Sequence, residues 1–397
     1  VKIATTWTPD LHPDAVIQAY DKLVVQLGAT PSLLIVHSPV ADNVDEMLTA
    51  LHARAPQVAL HGGTSCLGVM TQAGAHTQNG GGLALFGIVD PEGSYGVGAA
   101  VIADTPGAAA RQAINAALDR ADRRGETPAM VWMTSAPGCE EELISAIATV
   151  VGDHVPIAGG SAADNTVQGE WKQFANGEIY SNAVVVTAMF PSTDVMFSFH
   201  SGYEPTDVKG IVTKSAGRTL MEIDGRPAAA VYNEWLGGLI SDALVDGGNI
   251  LSTTSLHPLG RIAGYVGSAP YYVLSHPNAV TADGALTLFT QAARGDELVL
   301  MRGTADSLIS RASRVVTAMF DMYSVSPADV EGALIVYCAG CMLTVKDRIN
   351  EVAESLRDAL PGTPLLGTFT FGEQGCFLGG ENRHGNLMIS VLMFGKR

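Results

Sequence analysis

Short apolar runs recur along the chain, each followed by the same succession of patterns. Leu33-Leu34-Ile35-Val36, Met130-Val131-Trp132-Met133 and Leu334-Ile335-Val336-Tyr337 have the length and composition of strands. Each ends in small or polar turn residues, around Ser38-Pro39, Ser135-Ala136-Pro137-Gly138 and Cys338-Ala339-Gly340. The stretches 44–51, 143–151 and 345–360 then place apolar residues three and four apart, which predicts helices. Glu140, Glu141 and Glu142 open the second of these, where negative charge suits the positive end of the helix dipole. A proline and a Gly-containing strand follow each time, at 56–64, 156–161 and 364–368. Ser38 to Gly63 and Ser135 to Gly160 are equally spaced, so the repeat lies in spacing as well as composition. An apolar strand closes each unit, at 82–86, 183–187 and 387–392.

A strand, a helix of about three turns and a second strand make a β-α-β crossover, right-handed by rule. A closing strand that returns antiparallel makes each sheet mixed. The expected fold class is therefore α/β, with mixed sheets built from three β-α-β-β repeat units. The glycine pairs at the strand ends have two readings: a close backbone crossing between repeats, or the rim of a ligand crevice at the carboxyl ends of parallel strands.

Residues 193–329 do not follow the repeat. Turn signals at Glu204-Pro205, Asp224-Gly225, Asp246-Gly247-Gly248 and Asp283-Gly284 separate strand-like runs at 271–274, 285–289 and 297–301. A helix is predicted over 304–320, with Leu308, Ile309, Ala312, Val315, Val316 and Met319 on one side.

Hydrophobic residues make up 47% of the 397 and charged residues 16%, ample for a large core and inconsistent with disorder. A formal charge of −17 disfavours nucleic acid and anionic membrane surfaces as partners. No apolar run reaches the roughly 18 to 20 residues of a membrane-spanning helix. The opening residues, Val1 to Thr6, lack the basic and apolar regions of a signal peptide. The five cysteines show no scaffold-like spacing, which fits reduced thiols, and a cytoplasmic location is expected.

Several segments resemble the FIST N and FIST C domain pair over nearly the whole chain. The N-terminal part is carried by Pro156-Ile157-Ala158-Gly159-Gly160-Ser161-Ala162-Ala163-Asp164 with Phe174-Ala175-Asn176-Gly177-Glu178. Thr213-Lys214-Ser215-Ala216-Gly217-Arg218, then Glu222-Ile223-Asp224-Gly225-Arg226-Pro227-Ala228 and Tyr232, is the most specific stretch. The C-terminal part is carried by His257-Pro258-Leu259-Gly260, the strand at 297–301, the Cys338 turn and Thr370-Phe371-Gly372-Glu373. The expected organisation is an N-terminal strand and helix at 1–30, a FIST N-like domain at 31–236 and a FIST C-like domain at 237–397. The resemblance implies a small-ligand sensor rather than an enzyme. It also implies a signalling partner such as a histidine kinase or a cyclic-dinucleotide enzyme. The 397 residues hold no kinase, cyclase or DNA-binding module, so output is expected through a separate protein. One bacterial subset of the family binds haem and senses nitric oxide.

For haem, His257, before Pro258 in a family-like segment, and His276, in Ser275-His276-Pro277, are the candidate axial ligands. A histidine before proline at a strand end is as a rule structural. Cys338-Ala339-Gly340-Cys341 is a C-x-x-C at a strand-to-helix turn, suited to redox exchange or to half a metal site. Cys66, Cys139 and Cys376 follow comparable turns and are the other thiols a composite site would draw on, while buried cysteines often act only as small apolar groups. The alternative class is an acyl-transferring or hydrolytic enzyme using Cys338 or Ser65 with a remote histidine. His61-Gly62-Gly63-Thr64 has the composition of an oxyanion-hole loop, but no G-x-S-x-G elbow follows it.

Overall fold

The structure is a computed structural model that describes residues 1–396 apart from Gly267 and Leu378. Its body is the repeated unit, longer than the sequence pattern indicates. The first unit runs strand Lys2–Thr8, helix Pro13–Leu27, strand Leu33–Ser38, helix Val44–Arg54, strand Ala59–Thr64, hairpin Val69–Thr71 with Gly74–His76, and strand Leu83–Val89. The second repeats this order as Ser94–Val101, Pro106–Arg120, Met130–Ser135, Glu140–Val151, Ile157–Ser161, hairpin Gln173–Ala175 with Glu178–Tyr180, and Ala183–Phe190. The third begins with strand Val195–Ser201 and resumes only at helix Ala305–Tyr323. It continues as Val330–Cys338, Ala339–Thr344, Ile349–Ala359, Leu365–Thr370, hairpin Glu373–Cys376 with Asn382–Gly385, and Met388–Gly395.

Within each unit the central pair is parallel, as Leu33↔Ala59, Val131↔Ile157 and Ala333↔Leu365. The closing strand returns antiparallel beside it. Each resulting sheet has six strands, and the last two come from a different unit. The second unit's hairpin extends the first sheet (Gln173↔Gly63), the third's extends the second (Glu373↔Gly160), and the first's extends the third (Gly367↔Met70).

This arrangement explains the uninterrupted apolar runs, because both faces of each sheet are covered. Leu34, Val36 and Leu60 pack outward with Val16, Leu23 and Leu48 of the first unit's helices. Ile35, Phe86, Trp132, Val185, Leu334 and Phe394 belong instead to one central cluster shared by all three sheets. The strand glycines are the close crossings: a Cβ on Gly63 would meet Thr134 at 2.7 Å, and one on Gly160 would meet Val336 at 2.8 Å.

Polar groups also enter this interior. His61 is fully buried, with Nδ1 2.8 Å from Thr187 Oγ1 and Nε2 2.9 Å from Thr134 Oγ1. Nearby, His37 Nδ1 donates to the Gly63 carbonyl at 2.9 Å. Burial lowers the pKa of His37 to about 4 and that of His61 well below its ordinary 6.5.

Residues 202–304 interrupt the third unit and form a nine-stranded sheet, in which Glu204–Ala216 pairs with Thr219–Ile223 and Glu297–Arg302. The strand expectations at 271–274, 285–289 and 297–301 correspond to Ala269–Ser275, Leu286–Leu288 and Glu297–Arg302. Val195–Ser201, which the sequence pattern leaves outside the repeat, is an edge strand of the third sheet. The helix after this interruption begins at a capping box, in which Thr304 Oγ1 accepts from Ser307 N and Ser307 Oγ from Thr304 N.

A histidine whose folded-state pKa lies below its unfolded value takes up fewer protons when folded. Stability therefore falls as pH drops below 6.5 and, for His37, levels off beneath about 4. Urea unfolding should show the protein less stable at pH 5 than at pH 7.5, each buried histidine contributing up to about 2 kcal/mol. A His37→Phe variant should show a shallower dependence. Equal stability at the two pH values would contradict neutral burial.

Candidate functional site

Helix Glu140–Val151 starts with three carboxylates: Glu142 accepts from Gly107 N at 3.1 Å, and the other two meet the inserted sheet. Glu140 is buried, and it accepts from Ser161 Oγ at 2.7 Å and from Gly138 N at 3.0 Å. Arg218, reaching across from the nine-stranded sheet, lies 2.5 Å from Glu140 Oε2 and 2.6 Å from Glu141 Oε2. Glu141 also accepts from the backbone N–H of Gln291 at 2.8 Å. His384, on the third unit's hairpin, places Nε2 3.8 Å from Glu140 Oε2 and 3.2 Å from the Phe289 carbonyl. Burial alone would raise the Glu140 pKa, but the charges of His384 and Arg218 and the hydrogen bonds from Ser161 and Arg218 outweigh it and hold it at about 2.

Beside this clasp lies a cavity of about 630 Å³. One wall is the helix face of Glu141, Ile144, Ser145 and Ala148, at the spacing that puts side chains on one side of a helix. The facing wall is strand Leu259–Val266 of the inserted sheet, through Arg261, Ile262 and Ala263. Arg261 NH1 donates to Asp296 Oδ2 at 3.1 Å, while its buried Nε has no protein partner. Asp153, Glu381, Arg383 and His384 complete a lining that carries both signs of charge.

The FIST N domain model matches residues 32–226 and the FIST C domain model residues 228–376. The chain belongs to the FIST family. FIST domains are associated with small-ligand sensing in signal transduction. An uncharacterised protein of Methanocaldococcus jannaschii is 35% identical over 82 residues, which is 21% of this FIST protein and 16% of that relative. Among solved structures, cyanuric acid hydrolase from A. caulinodans is similar at 10% identity and a TM-score of 0.38, covering 100% of this chain and 99% of that one. A second cyanuric acid hydrolase structure is similar at 10% identity and a TM-score of 0.35, covering 99% of each chain. Likeness at this level assigns no activity.

The residues singled out in the sequence fall elsewhere in the FIST fold. His257 is half-buried, its carbonyl accepts from Tyr232 Oη at 2.6 Å, and its buried Nδ1 has no protein partner. His276 is buried, with Nε2 3.2 Å from Thr254 Oγ1, and burial lowers its pKa to about 4. Neither lines the cavity beside the clasp. His276 does approach the C-x-x-C turn: a Cβ on Gly340 would stand 3.6 Å from Cys338 Sγ and 3.8 Å from His276 Nδ1.

Cys338 and Cys341 are both buried and unbridged. Burial raises the Cys338 thiol well above its ordinary value. Burial pushes Cys341 the same way, but hydrogen bonds with Cys338 and Tyr203 and the charge of Arg311 bring it below that value. Among the described residues, no group of three His, Cys, Asp or Glu side chains is placed to hold a metal ion. Ser65 is committed structurally, donating to the Gly68 carbonyl at 2.5 Å and accepting from Phe369 N.

Sequence reasoning passed over Arg218, Arg261 and His384. The available signals were the Glu140-Glu141-Glu142 triplet, which reads as dipole complement until its partners are known, and the place of Arg218 in the most specific family-like stretch.

Removing Arg218 takes the nearest cation from a buried carboxylate, so Arg218→Met should cost about 3 kcal/mol. Glu140's low folded pKa contributes stability above 4.5 that disappears as pH falls toward about 2, and the variant's acid transition should move to higher pH. An unchanged acid transition would contradict the clasp. With four of the five thiols buried, iodoacetamide at pH 7 should leave Cys66, Cys338 and Cys341 unmodified in the native protein over minutes. Rapid labelling at Cys338 or Cys341 would show the turn to be open.

Proposed function

We propose that this FIST protein is a sensor whose small polar ligand occupies the cavity between helix Glu140–Val151 and the inserted sheet. The observation that carries this reading is the origin of the two walls. One lies in the segment matching the FIST N domain and the other in the segment matching the FIST C domain. A ligand touching both biases their spacing, and a ligand shifts an equilibrium only by its differential affinity for the two states. A hundredfold preference amounts to about 2.7 kcal/mol.

Charge of both signs in the lining favours a ligand with donors and acceptors over a purely apolar one. Arg261, with one buried N–H unpaired, is the side chain best placed to receive an acceptor. The altered surface would be read by a separate signalling protein, of which a histidine kinase or a cyclic-dinucleotide enzyme is the expected kind. Haem, with nitric oxide as signal, gains no support from this geometry. An axial imidazole must face a slot that admits a porphyrin, whereas His257 and His276 line neither this cavity nor the apolar one described below.

Thermal unfolding in the presence of a panel of amino acids, nucleobases and small organic acids tests the site. Compounds that raise Tm in the native protein should fail to do so in Ser145→Trp, whose new ring fills the cavity from an exposed helix position. Equal stabilisation of both proteins would place the ligand elsewhere.

A further inference from the structure

Arg311, on helix Ala305–Tyr323, is a buried cation without a carboxylate. Its side chain is 1% exposed, and among the described residues no Asp or Glu comes within ion-pair distance of it. NH1 and NH2 donate to the carbonyls of Leu387 and Met388 at 2.7 and 3.1 Å, and Nε has no protein partner. The guanidinium carbon lies 4.5 Å from the centre of the Tyr337 ring. Carbonyl dipoles and a ring face hold a cation less completely than an anion does, and burying an unpaired charge is costly. The acidic groups facing it from the interior are Cys341, Cys338, Tyr337 and Tyr203, together with the more distant Glu373. Burial raises the Glu373 pKa well above the usual carboxyl range.

Arg311 also borders a cavity of about 520 Å³ that shares no lining residue with the junction cavity. Its walls are mainly apolar and aromatic, including Phe199, Tyr203, Tyr271, Val315 and Phe377. Phe377 packs with Phe199 at 5.0 Å and with Tyr271 at 4.5 Å between ring centres, forming a continuous aromatic wall. Three glycines provide the seats for these groups. A Cβ on Gly202 would collide with the Arg311 stem, one on Gly303 with the Tyr203 ring and one on Gly375 with the Phe199 ring. Arg314 and His200 stand at the rim with one carboxylate, Glu204.

We propose that this cavity is a second ligand site, for a flat aromatic anion whose rings lie against the Phe199–Phe377–Tyr271 wall and whose negative head meets Arg311. The dimensions fit a compound of drug-like size. The buried guanidinium selects against neutral molecules of the same shape, because only an anion completes its pairing.

The test compares the fluorescent sulfonate 8-anilinonaphthalene-1-sulfonate with its uncharged relative N-phenyl-1-naphthylamine on the folded full chain. The sulfonate should bind saturably at one per chain and at least tenfold more tightly than the neutral amine. Arg311→Gln should erase that preference. Should Arg311→Gln fail to fold by circular dichroism, the exposed Ala318→Trp, which fills the mouth of the cavity, should abolish binding of both probes. Ser145→Trp, in the junction cavity, should leave both affinities unchanged, which separates failure of this site from failure of the sensor reading. Equal affinity for the two probes, or sulfonate binding undiminished in Ala318→Trp, overturns the proposal.

Discussion

No unit of this fold can complete its own sheet. The free edge of Ala59–Thr64 is paired by the second unit's hairpin, that of Ile157–Ser161 by the third's, and that of Leu365–Thr370 by the first's. An exposed strand edge is a liability that proteins must cover, and here each unit covers a neighbour's edge in a closed cycle. The central cluster follows from this closure, since its side chains come from three sheets at once. So does the polar contact at its centre: His61 of the first unit is satisfied only by Thr134 and Thr187 of the second.

The cycle also bears on where the inserted segment sits. In the third unit, residues 202–304 enter between the first strand and the first helix, a connection that joins no two paired strands of the cycle. The inserted sheet then needs its own attachment to the body. Arg218 supplies one by closing on Glu140 and Glu141 at the start of a helix that belongs to the second unit. Because Glu140 also accepts from Ser161, and Gln374 Nε2 donates to the same hydroxyl at 3.1 Å, the attachment reaches the hairpin exchanged from the third unit. A change in the spacing of insert and body is thus felt at the exchange itself.

The three-unit plan was legible in the sequence because strands covered on both faces become continuous apolar runs. The first strand and helix of each unit were not recognised as part of the repeat, although a strand and helix at 1–30 and a helix over 304–320 were expected. Lys2–Thr8 is rich in threonine, whereas Ser94–Val101 is small and glycine-rich because Gly96 and Gly98 lie against the helix carbonyls of Ala117 and Ala113. The third counterpart is divided by the insertion. The clasp was hidden for a different reason: Arg218 lies in the most specific family-like stretch, but its partners are 77 and 78 positions away and nothing local names them. Asp164, within the family-like segment, carried a local signal that sequence reasoning did not use. It is buried, and its carboxylate accepts backbone N–H groups from Thr166 to Glu170, tying that loop into a compact turn.

The two cavities differ in how their charge is settled, and this separates their roles. In the junction cavity Arg261 already has Asp296, and in the clasp beside it Arg218 has two glutamates, so most of the electrostatics is satisfied within the protein. On the proposed reading, a ligand there would gain chiefly by bridging the two walls. In the apolar cavity Arg311 is held by carbonyls and a ring face, which leaves its charge incompletely paired. The same guanidinium, after the hydrogen bond with Cys338, is among the groups that draw the pKa of Cys341 below its ordinary value. An anion at Arg311 would cancel part of that guanidinium's positive field, so occupancy of the second site and the acidity of the buried thiol are coupled through one side chain.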